Sequence, residues 1–314
     1  MLRTLFYKFW IIRFFKLQDL QTKAIILNLL SIVFFSIMVI FIKKAAENLH
    51  IFEVVFFRNL LAFIIMLPII KSIGLDALKM NNSKLFFVRG FFGAIGMFAG
   101  FSCLTLIPIA QATAISFSKP IFITLGATIF LGEIIKARRI VAIIIGFVGM
   151  LIIVQPGVEG FSFGITLAII AAITHSINSL IVKKLTLTEA PLAIVIWMVI
   201  ILIPITFIPA LSVWEWPSIE TWIYLWGIAI FGTLAHFSLT KSYSMAEITS
   251  LQPIEFIKLP LMALLGWGFF YEIPGIWTWI GGLVIFISTI YISRREIIVL
   301  SSLRISQGNQ KSKL

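Results

Sequence analysis

Along this chain, apolar runs of about 20 residues recur, the length a helix needs to cross a hydrocarbon core about 30 Å thick. Short breaks separate them and carry turn-forming and helix-breaking residues, as in "VQPGVEG", "VWEWPSIE" and "YEIPG". The runs predict ten helices, at 24–42, 51–70, 86–106, 109–131, 138–154, 162–182, 190–210, 220–240, 245–270 and 275–293. Most polar residues fall in the breaks. The exceptions are the informative ones, and Lys119 and Lys258 lead them, each near the middle of an apolar run. A lysine at the centre of a span is costly to desolvate, so each needs a reason.

Composition agrees with the pattern. Of 314 residues, 60% are hydrophobic and 12% charged, with a mean hydropathy of +1.09. Soluble domains carry about 25% charged residues, so the chain reads as a polytopic membrane protein. The net charge of +12 does not point to nucleic acid. Basic residues cluster in the breaks and tails, as topology signals do, and are not interleaved with exposed aromatics. With the N-terminus inside, nineteen of the 25 basic residues fall on the cytoplasmic side, and only Lys43 and Lys44 fall outside. Both termini are therefore expected in the cytoplasm. Arg58 and Arg89 lie near span ends, from which a long side chain can snorkel to the interface. The segment 1–23 is basic and aromatic-rich, with Arg3, Lys8, Arg13 and Lys16 interrupting its apolar stretch. That argues against a signal peptide and for a segment lying at the membrane surface.

The chain also repeats itself. A shift of 139 pairs Phe92 with Phe231, Gly93 with Gly232, Phe117 with Phe256, Lys119 with Lys258, and Glu133 with Glu272. A shift of 140 pairs Ser36 with Ser176 and Lys43-Lys44 with Lys183-Lys184. Five spans per half is an odd number, so the second half enters the membrane from the opposite side. The expected fold class is an all-α membrane protein with ten transmembrane helices in two inverted five-helix repeats. Its segments are 1–23, a first repeat over 24–156, a second over 157–295, and a cytoplasmic tail over 296–314. In secondary transporters of this architecture the substrate site lies near the midplane, between the repeats.

Residues three and four apart share a helix face. On that spacing Gln252, Glu255 and Lys258 form a polar ladder in the ninth span, and Thr113, Ser116 and Lys119 form its counterpart in the fourth. Pro120, Pro253 and Pro260 accompany the ladders and free backbone carbonyls. The competing reading for Lys258 is an i, i+3 ion pair with Glu255 along a polar seam. Lys119 has no acid at that spacing, so it needs a tertiary partner, a wet cavity or an anionic ligand. His175 and Asn178 on the sixth span and His236 on the eighth are further candidates for substrate contact. Helix–helix hydrogen bonding explains them equally well. Glu255 is the candidate proton carrier should transport be proton-coupled. The motif "GFSFG" fits a nucleophile elbow by letter, but it falls in a loop between membrane helices. Cys103 reads as a packing residue, Gly93, Gly96 and Gly100 as a close helix contact, and Trp214, Trp216, Trp222, Trp277 and Trp279 as interface anchors. No catalytic group, metal site or cofactor is expected.

The stretches "FFRNLLAFIIMLP", "SFSKPIFITLGATIFLGE" and "LQPIEFIKLPLMALLGWGFFYEIPGIWTWIGGLVIFISTIYISRRE" give the chain a familiar look. It resembles the drug/metabolite transporter superfamily, in particular its EamA-type members, over roughly residues 24–295. The resemblance implies a ten-helix permease of the inner (cytoplasmic) membrane that moves small metabolites by alternating access, with the fourth and ninth helices facing a central cavity. A basic residue at Lys258 looks usual for such members, whereas Lys119 stands where a small or hydroxyl residue is more common. The expectation is a secondary transporter for a small metabolite with an anionic group, such as an amino acid. An uptake carrier for S-adenosylmethionine or riboflavin is the alternative, and a membrane scaffold or membrane-embedded enzyme is the rival from another class. The expected partners are a small-molecule substrate and the lipid bilayer, without nucleic acid. Proton coupling and a homodimer stay open.

Overall fold

The computed structural model describes residues 20–74, 78–119, 121–123, 137–155, 162–246, 248–255, 257–288 and 290. The N-terminal segment 1–19, Pro120, Glu133 and the tail lie outside the described residues. The helices are α1 (Leu20–Ala45), α2 (Ile51–Ile73), α3 (Ser83–Leu106), α4 (Ile109–Ser116), α5 (Ala137–Val154), α6 (Phe163–Leu185), α7 (Pro191–Leu211), α8 (Ile219–Met245), α9 (Ile248–Glu255) and α10 (Lys258–Phe270). A shorter apolar helix, α11 (Ile276–Ser288), follows. Helices are what apolar solvent permits, because each backbone N–H and C=O then bonds within its own segment. Side chains mark several starts: His50, Asn82, Ser162 and Ser218 accept hydrogen bonds from the first turns of α2, α3, α6 and α8.

Six of the described helices, α1, α2, α3, α6, α7 and α8, are each long and apolar enough to cross a membrane. Their polarity is inside out. On α3, Phe87 and Phe91 are 60% and 59% exposed, while Arg89 between them is 4% exposed. A water-facing helix would reverse that arrangement.

The helices associate in matched pairs. α1 lies along α8 as α3 lies along α6, and α2 meets α8 as α3 meets α7. The contact of α2 with α7 exchanges into itself when the halves are swapped. Glycines set the closest approaches. A Cβ on Gly96 would meet Thr174 Oγ1 at 2.7 Å, and one on Gly281 would meet the Gly149 carbonyl oxygen at 2.5 Å.

Two predicted spans are not single helices. α4 ends at Ser116, residues 117–118 form a turn, and helix resumes at Lys119. The ninth span likewise divides into α9 and α10, with Lys258 the first residue of α10. Both breaks tighten the backbone: Phe117 N–H donates to Ala114 O and Ile257 N–H to Ile254 O, three residues back, at 3.1 Å each. The aromatic anchors also divide. Trp216, Trp277 and Trp279 are exposed, but Trp214 packs against Phe56, Phe57 and Phe207, and Trp222 lies edge-on to Phe57 at 5.1 Å. The ends of α2 and α7 meet beside that loop and draw these two rings inward.

Candidate functional site

A cavity of about 240 Å³ lies between the two halves. Its wall takes in Lys119, Lys258, Glu255, Thr113, Ser116, His175, Asn178 and His236, eight of the nine candidate residues singled out in the sequence. The ninth, Gln252, belongs to α9, but its side chain lies outside the described residues.

The broken helices bring the lysines there. Each begins the helical segment that follows a break, where free N–H groups already favour negative charge. A cation is poorly placed at such a point unless an anion shares it. Both lysines are half-buried. Lys258 Nζ stands 5.8 Å from the centroid of the Phe35 ring, a cation–π contact. It forms no ion pair with Glu255, so the i, i+3 seam is not what holds it. Among the described residues neither lysine ammonium has a hydrogen bond or an ion pair, although the Lys119 carbonyl accepts from Ser176 Oγ at 3.2 Å.

The hydroxyls of the Thr113–Ser116 ladder are partly occupied. Thr113 Oγ1 donates to Ile109 O at 2.8 Å and Ser116 Oγ to Thr113 O at 2.6 Å. Their oxygens keep acceptor capacity. Asn178 makes a helix–helix bond: with its amide set to match its neighbours, it donates to Arg89 O and accepts from Gly93 N–H, 3.1 Å each. His175 is exposed within the wall, facing Gly96 and Gly100. His236 is half-buried, and its ring meets Phe35 edge-on at 5.0 Å.

Arg58 and Arg89 correct the snorkelling expectation. They are 1% and 4% exposed, and both line the cavity. Arg58 is seven residues into α2, about 10 Å along the axis at 1.5 Å per residue, too far to reach the interface readily. Arg89 instead crosses to α7, where Nη1 donates to Ile194 O and Nη2 lies 3.4 Å from Met198 Sδ. The signal available in the sequence was that distance from the span end. Cys103 is buried, with Sγ 3.1 Å from Gly100 O, as a packing residue should be.

Sequence reasoning also missed a contact at the other end of the bundle. Lys43, at the end of α1, forms an ion pair with Glu272 in the connection between α10 and α11. The second Glu272 oxygen accepts from Ile109 N–H, the first residue of α4, at 2.8 Å. The glutamate pair at shift 139 was the available clue.

Comparison with known proteins places this geometry. The model of the EamA-like transporter family matches twice, over residues 22–155 and 162–294. A riboflavin transporter of Rhizobium johnstonii is 34% identical, with 75% of this chain and 78% of that protein covered. An S-adenosylmethionine uptake transporter of Rickettsia bellii is 31% identical, with 85% and 92% covered. A crystal structure shares the fold at a TM-score of 0.64 and 16% identity, over 87% of this chain and 98% of the other. With both halves matched by the family and its polar groups turned inward to one cavity, the chain belongs to the EamA-like transporter family and is a multi-pass membrane transporter of small metabolites.

Proposed function

We propose that the protein is a secondary transporter that carries a small organic anion, an amino acid or a related carboxylate, through this cavity by alternating access. One observation carries the reading: among the described residues, Lys119, Lys258, Arg58 and Arg89 line the cavity against a single carboxylate, Glu255. Four cationic groups in a low-dielectric space repel one another and lack their hydration, and an anionic solute offsets both costs. S-adenosylmethionine carries a sulfonium cation, which this charge pattern disfavours. Riboflavin is the second reading. The 34% identity to the Rhizobium transporter favours it, as does the Phe35 ring beside which a flat solute could stack.

The matched helix pairing supports two inverted five-helix repeats, approximately 24–156 and 157–295, with ten crossings in all. The excess of basic residues supports both termini in the cytoplasm and an inner-membrane location for this bacterial-type carrier. Glu255, half-buried in the wall, is the group we assign to proton coupling.

The test is uptake of a labelled panel of amino acids, dicarboxylates and riboflavin into proteoliposomes by wild type, Lys119→Met and Lys258→Met. Each lysine supplies a charge-assisted contact of about 1.5–3 kcal/mol, so uptake of the anionic substrate should fall roughly 10- to 100-fold. Full activity of both variants on every transported solute ends the anion reading. Uptake of riboflavin alone, untouched by either substitution, favours the second.

A further inference from the structure

Arg58 is the buried cation whose hydrogen bonds are incomplete. It is 1% exposed, and a guanidinium stays charged under all ordinary conditions. Its Nη1 donates to Asn59 Oδ1 at 2.6 Å, and Asn59 Nδ2 in turn donates to Val55 O at 2.9 Å, one turn back on α2. Asn59 is itself fully buried, so the guanidinium plane is held from one side. The opposite edge, carrying Nε and Nη2, has no partner. These two N–H groups point in parallel and form the edge that takes both oxygens of a carboxylate at once.

The remaining buried polar atoms without a partner among the described residues are Glu53 Oε2 and Thr233 Oγ1, and neither residue lines the cavity. Arg58 does. Facing its open edge is Gly232 on α8, where a Cβ would lie 3.4 Å from both Nε and Nη2 and 2.8 Å from Met38 Sδ. Even a methyl group would overlap Met38 there, so Met38 and α8 close the edge off in this conformation, and a ligand reaches it when that flexible side chain swings aside. One turn further along α8, about 5.4 Å, comes His236, edge-on to Phe35, whose ring Lys258 approaches from its own side. Arg89 differs, because its guanidinium is already engaged with α7. The arginines also have no repeat counterparts: the shift of 139 puts Trp197 at the place of Arg58 and Ile228 at that of Arg89. The lysines are therefore matched between the halves, and this free edge belongs to one half only.

We propose that the Nε–Nη2 edge of Arg58 is the docking point for a carboxylate of the transported solute, which it holds in a two-pronged hydrogen bond and thereby fixes the solute end for end. This rests on the anionic-substrate reading and adds the functional group, the residue and the orientation. A buried charged donor left unpaired is destabilising, and the bound carboxylate removes that penalty. Lysine could supply the charge but not the planar pair of donors.

The experiment measures thermal unfolding of the full chain in detergent with benzoate or glutarate, each set against its uncharged amide, benzamide or glutaramide. Wild type should gain roughly 2 °C or more from the carboxylates over the amides. Arg58→Lys should lose that difference although it keeps the charge, and Arg58→Gln should lose it too. Gly232→Ala leaves Arg58 in place but crowds its edge, and should reduce the difference. It carries the test should the Arg58 variants not elute as monodisperse protein. An unchanged carboxylate-over-amide difference in Arg58→Lys, or in Gly232→Ala where that variant alone folds, overturns the proposal, as does a wild type that does not distinguish carboxylate from amide. The anionic-substrate reading is decided separately, by proteoliposome uptake with the lysine variants. Uptake that depends on the lysines but is unaffected in Arg58→Lys overturns the docking point and leaves that reading standing.

Discussion

Lys43 and Glu272 are 229 residues apart in sequence and form an ion pair that joins the end of α1 to the connection between α10 and α11. Glu272 also caps the first N–H of α4, so one carboxylate ties three segments together, two from the first half and one from the second. Lys43 and Lys44 both stand over the Phe270 ring, at 5.0 and 5.3 Å.

The two charges should therefore be thermodynamically coupled. Glu272→Gln keeps an acceptor for Ile109 N–H and loses only the ion pair. Glu272→Ala loses both contacts and should cost more, about 1.5–3 kcal/mol. A double-mutant cycle with Lys43→Met, read by denaturant unfolding in detergent, should return a coupling of about 0.5–3 kcal/mol. Additive single effects would mean that the pair contributes nothing.

Because this contact bridges the halves, it should open whenever the cavity opens at that end. Lys43→Cys with Glu272→Cys, joined by a short bis-methanethiosulfonate that forms a disulfide with each thiol and releases sulfinate, should stop uptake in proteoliposomes, and reduction should restore it. The native Cys103 is 4% exposed and so gives little background labelling. Undiminished uptake by the crosslinked protein would show that this end stays closed throughout transport.

Glycine substitutions should separate packing positions from open ones. Gly281→Ala drives a methyl group against the Gly149 carbonyl, and Gly96→Ala drives one against Thr174 and His175. Backbone cannot yield as a side chain can, so Gly281→Ala should be the more damaging, within or above the 1–3 kcal/mol typical of overpacking. Gly268 has nothing within 4 Å of its Cβ position. Gly268→Ala should be neutral or gain up to about 1 kcal/mol from helix propensity. Thermal unfolding of the three variants checks the order.

Glu255→Gln should uncouple transport from protons without closing the route. Exchange of labelled for unlabelled solute across proteoliposomes should persist, while accumulation driven by an imposed pH gradient should be lost. Gradient-driven accumulation equal to that of wild type would remove Glu255 as the proton carrier.

The apolar run lengths foretold most of the helices, and simple i, i+3 spacing picked out five polar residues of the cavity wall, Thr113, Ser116, Lys119, Glu255 and Lys258. Lys119 and Lys258 were legible because a midspan lysine is costly wherever the rest of the chain lies. Their match at one shift was legible because the repeat is written in the sequence. The breaks at residues 117–118 and just before Lys258 were less so. Prolines marked the neighbourhood, but Ser116 and Lys119 at the first break and Glu255 and Lys258 at the second read equally well as the polar face of one continuous helix.

What the sequence determined by itself is local: membrane-length helices, polar faces on them, and the paired lysines, all consequences of desolvation cost and helical period. What only the tertiary structure decided is which charges meet. Glu255 did not pair with Lys258 three residues away, whereas Lys43 found Glu272 across the bundle. Arg58 and Arg89 turned inward, and only the positions of Asn59, Gly232 and α7 leave the first with a free edge and the second occupied. Such contacts depend on where distant helices pack, and helix periodicity carries no record of that.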